Sequence, residues 1–470
     1  MPVSRRELIY GAALSLSAAA PEPSADEKPN VVIVISDQVR WDAVGANGRN
    51  PMNVTPNLDE LAANGTNFTH AFTNQPVCSP SRACLFTGQY PPKHGVWRNT
   101  GHGVALAQNA VTLAKEFRKV GYSANYIGKW HLAGDTIGPV VPADRGGFLD
   151  LWESSNELEH TSHPYEGDLF DGDGRPIHYQ DEYRVNFMTS RAKRFLENAS
   201  KTSPFLLVVS YLEPHQQNDL GHMVAPKGYA QKFANPFAAE DLRPFPGTWQ
   251  EQLPDYYGCL KSIDEAVGQI RSTLRETGLD RKTIIIFTSD HGCHFMTRNT
   301  EYKRSAHDSS ARIPLVVEGP GFKPGTRVDS LVSMVDLMPT LLSAAGLSVP
   351  SSVQGRSTLP LIAGDHREWR NEVYIQMSEF WTARALRTPE WTYVAAAPHS
   401  QAPYKPAPNA PAYSAFQLYD NRADPNQLVN LAGRRETAAA EEELRKRLSA
   451  RMAESGDAPA DLLRSAFPYS

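Results

Sequence analysis

The segment Cys78-Ser79-Pro80-Ser81-Arg82-Ala83-Cys84-Leu85-Phe86-Thr87-Gly88 sets a thiol, a proline and a guanidinium close together. Pro80 suits the first turn of a helix, where its missing N–H is not needed, and Thr87-Gly88 suits the end. Cys78 is therefore expected at a helix N-terminus, where unpaired backbone N–H groups favour an anion and a developing negative charge. A free thiol is more often a packed core residue. The nearby proline and arginine are an unusual setting for packing alone.

Polar groups also stand at the ends of apolar runs. Asp37-Gln38 follows Val31–Ile35, and Lys129 and His131 follow Ala124–Ile127. Glu213 and His215 follow Phe205–Leu212, and Asp290-His291 follows Thr283–Phe287. Singly, each such residue reads as a helix cap or a loop carboxylate. Together they imply one site handling a sulfate-like or phosphate-like anion, because ligands of parallel sheets sit beyond the carboxyl ends of the strands.

The elements that must position these groups follow from periodicity. The β-branched runs read as strands buried on both faces. Helical patterns lie between them at Leu58 to Asn64, Thr112 to Val120, Tyr183 to Glu197 and Ile263 to Glu276. This alternation predicts an α/β fold with a mainly parallel sheet and helices on both faces. Ala383 to Ala395 and Phe416 to Asp420 read as strands of a small antiparallel sheet, and Glu436 to Met452 as a charged helix. Residues 398 to 415, rich in Pro, Ala and Ser, read as a surface loop. A boundary is placed near Gly364-Asp365, and no internal repeat is evident.

A chain of 470 residues can bury a large core. With 47 Lys+Arg against 52 Asp+Glu, its net charge of −5 argues against nucleic acid as a partner. Four cysteines are too few for a disulfide framework in so long a chain. No internal apolar run is long enough to span a bilayer. The N-terminus carries Arg5-Arg6 before a weakly apolar stretch, with small-residue cleavage sites at Ala18-Ala19-Ala20 and Ser24-Ala25. It resembles a twin-arginine export signal over residues 1–25, which implies a bacterial enzyme exported folded by the twin-arginine machinery, periplasmic or secreted.

Cys78-x-Pro80-Ser81-Arg82 resembles the signature of the formylglycine-dependent type I sulfatases of the alkaline-phosphatase superfamily. Further motifs stand in that family's order: Asp37, Gly128-Lys129-Trp130-His131, Pro214-His215, Ser289-Asp290-His291-Gly292, and Lys303 before Arg312-Ile313-Pro314. Leu418-Tyr419-Asp420, Asp424-Pro425 and Asn430-Leu431 are similar to its C-terminal subdomain, so the likeness runs from Pro29 to Leu431. It implies an alkaline-phosphatase-like catalytic domain over 29–365, with a large mixed, mainly parallel sheet sandwiched by helices, and a smaller α+β C-terminal subdomain over 366–470 with an antiparallel sheet.

The resemblance also implies a chemistry. A formylglycine-generating enzyme would oxidise Cys78 to an aldehyde that hydrates to a geminal diol. One hydroxyl attacks sulfur, and the other lets the sulfated residue expel sulfate, an exit a plain serine lacks. Asp37, Gln38, Asp290 and His291, with residue 78, would hold a divalent metal; oxygen-rich coordination favours calcium. Gln38 departs from the second Asp of many sulfatases, which leaves manganese or magnesium open. Arg82 and Lys129 would bracket the nucleophile and the anion, and His131 would orient the diol. His215 and Lys303 would grip sulfate, one of them protonating the leaving alcohol.

Other residues carry two readings. His94 and the pair His307-Asp308 could face the site or support it. Cys293 and His294 match no usual zinc spacing and default to packing, as do Cys84 and Cys259. Trp97-Arg98-Asn99, His102, Glu213, Gln216–Asp219, Trp381 and the loop at 398 to 415 could contact a sugar or could be ordinary loop composition. The expected substrate is a sulfate monoester on a carbohydrate. Gln38 and His291 also resemble phosphonate monoester hydrolases, so a phosphonate monoester or phosphodiester hydrolase is one alternative; a non-catalytic binder of sulfated glycans is the other.

Overall fold

The computed structural model describes residues 28–398 and 405–464. The export signal expected over 1–25 lies outside the described residues, as do residues 399–404 of the Pro-rich loop.

Five parallel strands form the middle of an 11-stranded sheet, in the order Thr283–Ser289, Asn30–Ser36, Phe205–Ser210, Ser123–Lys129 and Trp152–Ser155. Antiparallel pairing begins at both flanks, where Leu315–Glu318 joins Thr283–Ser289 and Glu166–Phe170 joins Trp152–Ser155. The sheet is thus mixed and mainly parallel, as expected. Side chains alternate between its faces. Val31, Ile33 and Ile35 pack with Leu85, Phe86 and Phe117 on one side. Val32 and Val34 pack with Met188, Leu260, Ile263 and Val267 on the other.

The expected helices appear at Pro56–Ala63, Leu113–Lys119, Arg184–Asn198 and Trp249–Thr277. Thr112 caps the second, accepting the N–H of Lys115 at 3.3 Å. The last begins well before the expected Ile263 and takes in Pro254 and Gly258. Pro254 lies near the helix start, and Gly258 is used for contact: a Cβ there would lie 2.6 Å from that of Ala225.

The C-terminal sheet runs Val373–Met377, Ala383–Arg387, Trp391–Ala396, Ala412–Asp420 and Asp461–Leu463, with the first four antiparallel in succession. The single run expected over Ala383–Ala395 is a hairpin, folded at Thr388-Pro389-Glu390, where proline supplies the turn. Residues 412–415 of the expected loop extend the next strand instead, since Tyr413 is buried. The charged helix spans Ala438–Ser455. Tyr374, Leu386, Tyr393 and Leu444 join the same apolar cluster as Ile33 and Phe86, so the C-terminal sheet closes over the main core.

Candidate active site

Strand register brings the site together. Ser36 pairs with Ser289, so Asp37 and Asp290 leave the sheet side by side. Gly128 pairs with Ser210, setting Lys129 next along the same edge. Gly128 has φ 102°, and a Cβ there would fall 2.1 Å from the Ser210 carbonyl oxygen, so only glycine admits this approach. Gln38 and His131 hold φ of 75° and 57°. Left-handed backbone at such residues costs on the order of 1–3 kcal/mol and persists where surrounding contacts enforce it.

The helix Cys78–Thr87 begins at Cys78 and ends on Gly88 at φ 62°, as its sequence predicts. Cys78, Ser81 and Arg82 share one helical face. Ser81 Oγ donates to the Asp290 carbonyl at 2.5 Å, and Arg82 Nε donates to Asp290 Oδ2 at 3.0 Å. Arg82 Nη1 reaches the Lys129 carbonyl at 2.8 Å and Ser210 Oγ at 2.7 Å. Asn99 Oδ1 accepts the Ser79 N–H at 3.2 Å, tying the following loop to the first turn.

Around the buried sulfur of Cys78 stand Lys303 Nζ at 3.1 Å, His291 Nε2 at 3.5 Å, Lys129 Nζ at 3.7 Å and Asp37 Oδ1 at 3.8 Å. His131 also faces it. Burial and Asp37 push the thiol up, but Lys129, Lys303 and His131 outweigh them and hold it well below the usual thiol range. Burial raises the other three cysteines, Cys84, Cys259 and Cys293, the last to about 12. Cys78 alone among them sits in a pocket built for negative charge.

Asp37 takes a 2.8 Å bond from Lys129 Nζ. Burial opposes its charge, yet Lys129, His215 and Lys303 keep the carboxylate well below its usual range. Asp290 moves the other way, raised by burial and by Asp37 beside it. The Arg82 guanidinium reaches both carboxylates, at 3.5 Å to Asp37 and 3.0 Å to Asp290, and a bound cation would ease the like-charge pair further. Asp37, Cys78, Asp290 and His291 bring ligand atoms within 4.8 Å of one another. His291 Nδ1 bonds the Gly292 carbonyl at 2.9 Å, leaving Nε2 for the site. Gln38 Oε1 is buried without a hydrogen-bond partner, a free oxygen beside the carboxylates. This donor set of oxygens and one imidazole fits a divalent metal.

His215 is buried, with Nδ1 on the Gln216 carbonyl at 2.6 Å; burial and Lys303 bring it down to about 4, so the ring is neutral at pH 7. All ten expected site residues thus converge on one pocket. The secondary candidates divide. His94 is structural: Nδ1 accepts the Val96 N–H at 3.0 Å and Nε2 meets Cys84 Sγ at 3.4 Å. Glu213 and Gln217 are engaged by the buried Arg184, and His307 and Asp308 face the C-terminal sheet rather than Cys78. Glu159, which sequence reasoning missed, lies 2.9 Å from Lys129 Nζ.

Fold and site together define a hydrolase of alkaline-phosphatase-like architecture acting on an anionic ester. The sulfatase family profile matches residues 29–347, and the profile of the N-sulphoglucosamine sulphohydrolase C-terminal region matches 300–454. The chain belongs to the sulfatase family and is a sulfuric ester hydrolase. It is 31% identical to an ulvan-active sulfatase of Formosa agariphila, over 92% of this chain and 82% of that one. It is 29% identical to an endo-4-O-sulfatase of Bacteroides thetaiotaomicron, over 88% and 90%. The sulfatase YidJ of Bacteroides fragilis superposes with a TM-score of 0.78 at 27% identity, covering 93% of this chain and 98% of that one. Among the described residues no helix is long and apolar enough to cross a membrane.

Proposed function

We propose that the protein hydrolyses sulfate monoesters on a carbohydrate, using a formylglycine made from Cys78. The observation that carries this is the buried sulfur at a helix start, ringed by Lys303, Lys129, His291 and Asp37 within 3.8 Å. In that ring Sγ stands where a formylglycine oxygen would lie. The hydrated aldehyde supplies two hydroxyls on one carbon, one to attack sulfur and one to drive release of sulfate.

Asp37, Gln38, Asp290 and His291 would hold the divalent metal, calcium by its oxygen-rich set, which supplies charge neutralisation at the sulfate and the nucleophile. Arg82 holds Asp290 in place and partly offsets the burial that opposes its charge. Lys129 and Lys303 stabilise negative charge around residue 78, and His131 takes the proton that must leave the second hydroxyl. His215 and Lys303 grip the sulfate, and one of them returns a proton to the alcohol oxygen. Relatives that act on ulvan or as an endo-4-O-sulfatase favour a glycan substrate.

The division into a catalytic part over 29–365 and a C-terminal subdomain over 366–470 belongs to this reading, as does export over the twin-arginine route after cytoplasmic oxidation of Cys78. The test is the mass of the peptide spanning residue 78 in protein from its own host, followed by turnover on matched sulfate and phosphonate esters and a sulfated-glycan panel. Conversion to the aldehyde with preference for sulfate esters supports the reading. Preference for the phosphonate, or tight glycan binding by converted protein without turnover, replaces it.

A further inference from the structure

We infer that Glu159 is a positioning residue that aims both Lys129 and His131 at residue 78. The inference rests on the reading of the site just given and adds a residue to it. Glu159 belongs to the short helix Leu158–Thr161, immediately beyond the strand Trp152–Ser155. That strand is the fifth parallel neighbour, paired with Ser123–Lys129 through Lys129 and Ser155, so its carboxyl end opens onto the same edge as the rest of the site.

An ammonium has three N–H bonds to direct. For Lys129, Asp37 Oδ2 takes one at 2.8 Å and Glu159 Oε1 takes another at 2.9 Å. The third is left for Cys78 Sγ, 3.7 Å away. Both carboxylates are needed for that aim, since with Asp37 alone the ammonium could turn about a single bond. The same Glu159 oxygen stands 3.9 Å from His131 Nδ1. His131 Nδ1 and Glu159 Oε2 are both buried without a hydrogen-bond partner. Two unsatisfied buried atoms on facing side chains are costly unless they meet during the cycle. A small rotation lets Glu159 accept the Nδ1–H of His131, which fixes the ring and leaves Nε2 as the atom facing residue 78. Burial works against charge at Glu159, but Lys129, His131 and His215 hold the carboxyl well below its usual range, so it is available as an anion.

The experiment compares Glu159→Gln and Glu159→Leu with wild type on one sulfate ester, alone and combined with His131→Asn. The expected result for Glu159→Leu is a fall in kcat on the order of 100-fold, the scale of a misaligned catalytic group. KM should hold within about twofold, because Glu159 does not touch the sulfate-gripping His215 or Lys303. Glu159→Gln, which keeps an accepting oxygen, should retain part of the rate. In the His131→Asn background each change should cost less than in wild type, the remaining loss being the share carried by Lys129. In ¹⁵N-histidine spectra the wild type should show His131 as the Nδ1–H tautomer, and Glu159→Leu a mixture. Unchanged kcat in both variants, a loss confined to KM, or an unmoved His131 signal overturns the inference while wild-type activity stands. Converted wild-type protein inert on every sulfate ester instead overturns the underlying reading.

Discussion

The ammonium nitrogen of Lys303 lies 3.1 Å from the sulfur of Cys78 and, at the same distance, from His291 Nε2. A residue 225 positions along the chain therefore joins the helix start and a proposed metal ligand into one cluster. Charge built at residue 78 is met at once from two sides, by Lys303 and by Lys129.

If that cluster serves a nucleophile at residue 78, Cys78→Ala should abolish turnover while leaving the fold intact, since the change removes one sulfur from a well-enclosed pocket. Cys78→Ser is the sharper case. Its single hydroxyl can attack but cannot expel sulfate, so the variant should give at most one turnover and then carry a sulfuryl group on residue 78. Intact mass after incubation with substrate checks this; steady turnover by either variant would refute the mechanism.

Asp290→Asn should lose metal and activity together. The amide keeps the size of the carboxylate but halves the ionic set beside Asp37 and leaves Arg82 with a weaker partner at the 3.0 Å contact. Breaking a buried pair costs about 3–5 kcal/mol when one charge is left uncompensated. The melting temperature should therefore fall as well, and Asp290→Asn should fall less than Asp290→Ala. Metal content by elemental analysis, against kcat and the melting temperature, separates these effects.

Much of this site could be read from the chain alone because its groups follow strands with strong apolar runs. Val31–Ile35 and Ile284–Phe287 announce themselves, and the first charged residues after them are Asp37 and Asp290. Trp152-Glu153-Ser154-Ser155 is also a central parallel strand, but it is polar at every position after Trp152: Glu153 is held by Arg191, and Ser154 Oγ donates to the Gly128 carbonyl at 2.6 Å. No apolar run marks it, so Glu159 at its end stayed hidden. The hairpin Glu166–Phe170 to Pro176–Gln180 was missed for the same reason, its strands being mostly polar, although its turn residues Asp171-Gly172-Asp173-Gly174 carry a readable signal. The roles of His94 and Asp308 depend on contacts with Val96, Cys84 and Arg387, which local pattern cannot supply.

Acid should weaken the fold through its buried histidines, His94 and His294 among them, before it titrates most carboxylates. Burial lowers the His94 ring to about 3, against about 6.5 in the unfolded chain. Below pH 6.5 the unfolded state binds a proton that the folded state refuses, so stability is full above that pH and declines as pH falls toward 3. The slope for one such group approaches about 1.4 kcal/mol per pH unit. Denaturant midpoints measured from pH 7 to pH 5 should decline, and His94→Gln should remove one group's share of the decline. An equal slope in the variant would assign the acid sensitivity elsewhere.

The last prediction concerns the seam between the segment after Lys303 and the C-terminal sheet. Arg387, on the strand Ala383–Arg387, grips Asp308 through Nε at 2.9 Å and Nη2 at 3.1 Å, and Gln427 Oε1 accepts the Asp308 N–H at 2.7 Å. Arg312 adds a contact to the same carboxylate at 3.5 Å. Asp308 is buried, so Arg387→Ala strips a bidentate partner from a desolvated charge that Arg312 only partly balances, at a cost of about 3–5 kcal/mol. None of these groups touches Cys78, and Lys303 is held separately, its carbonyl accepting from His294 Nε2 at 2.9 Å and Asn299 Nδ2 at 3.0 Å. Arg387→Ala should therefore lower the melting temperature clearly while leaving kcat/KM within a few-fold at temperatures where the variant stays folded. A large loss of kcat without loss of stability would mean that the seam transmits position to Lys303, and that the C-terminal sheet takes part in setting the catalytic geometry.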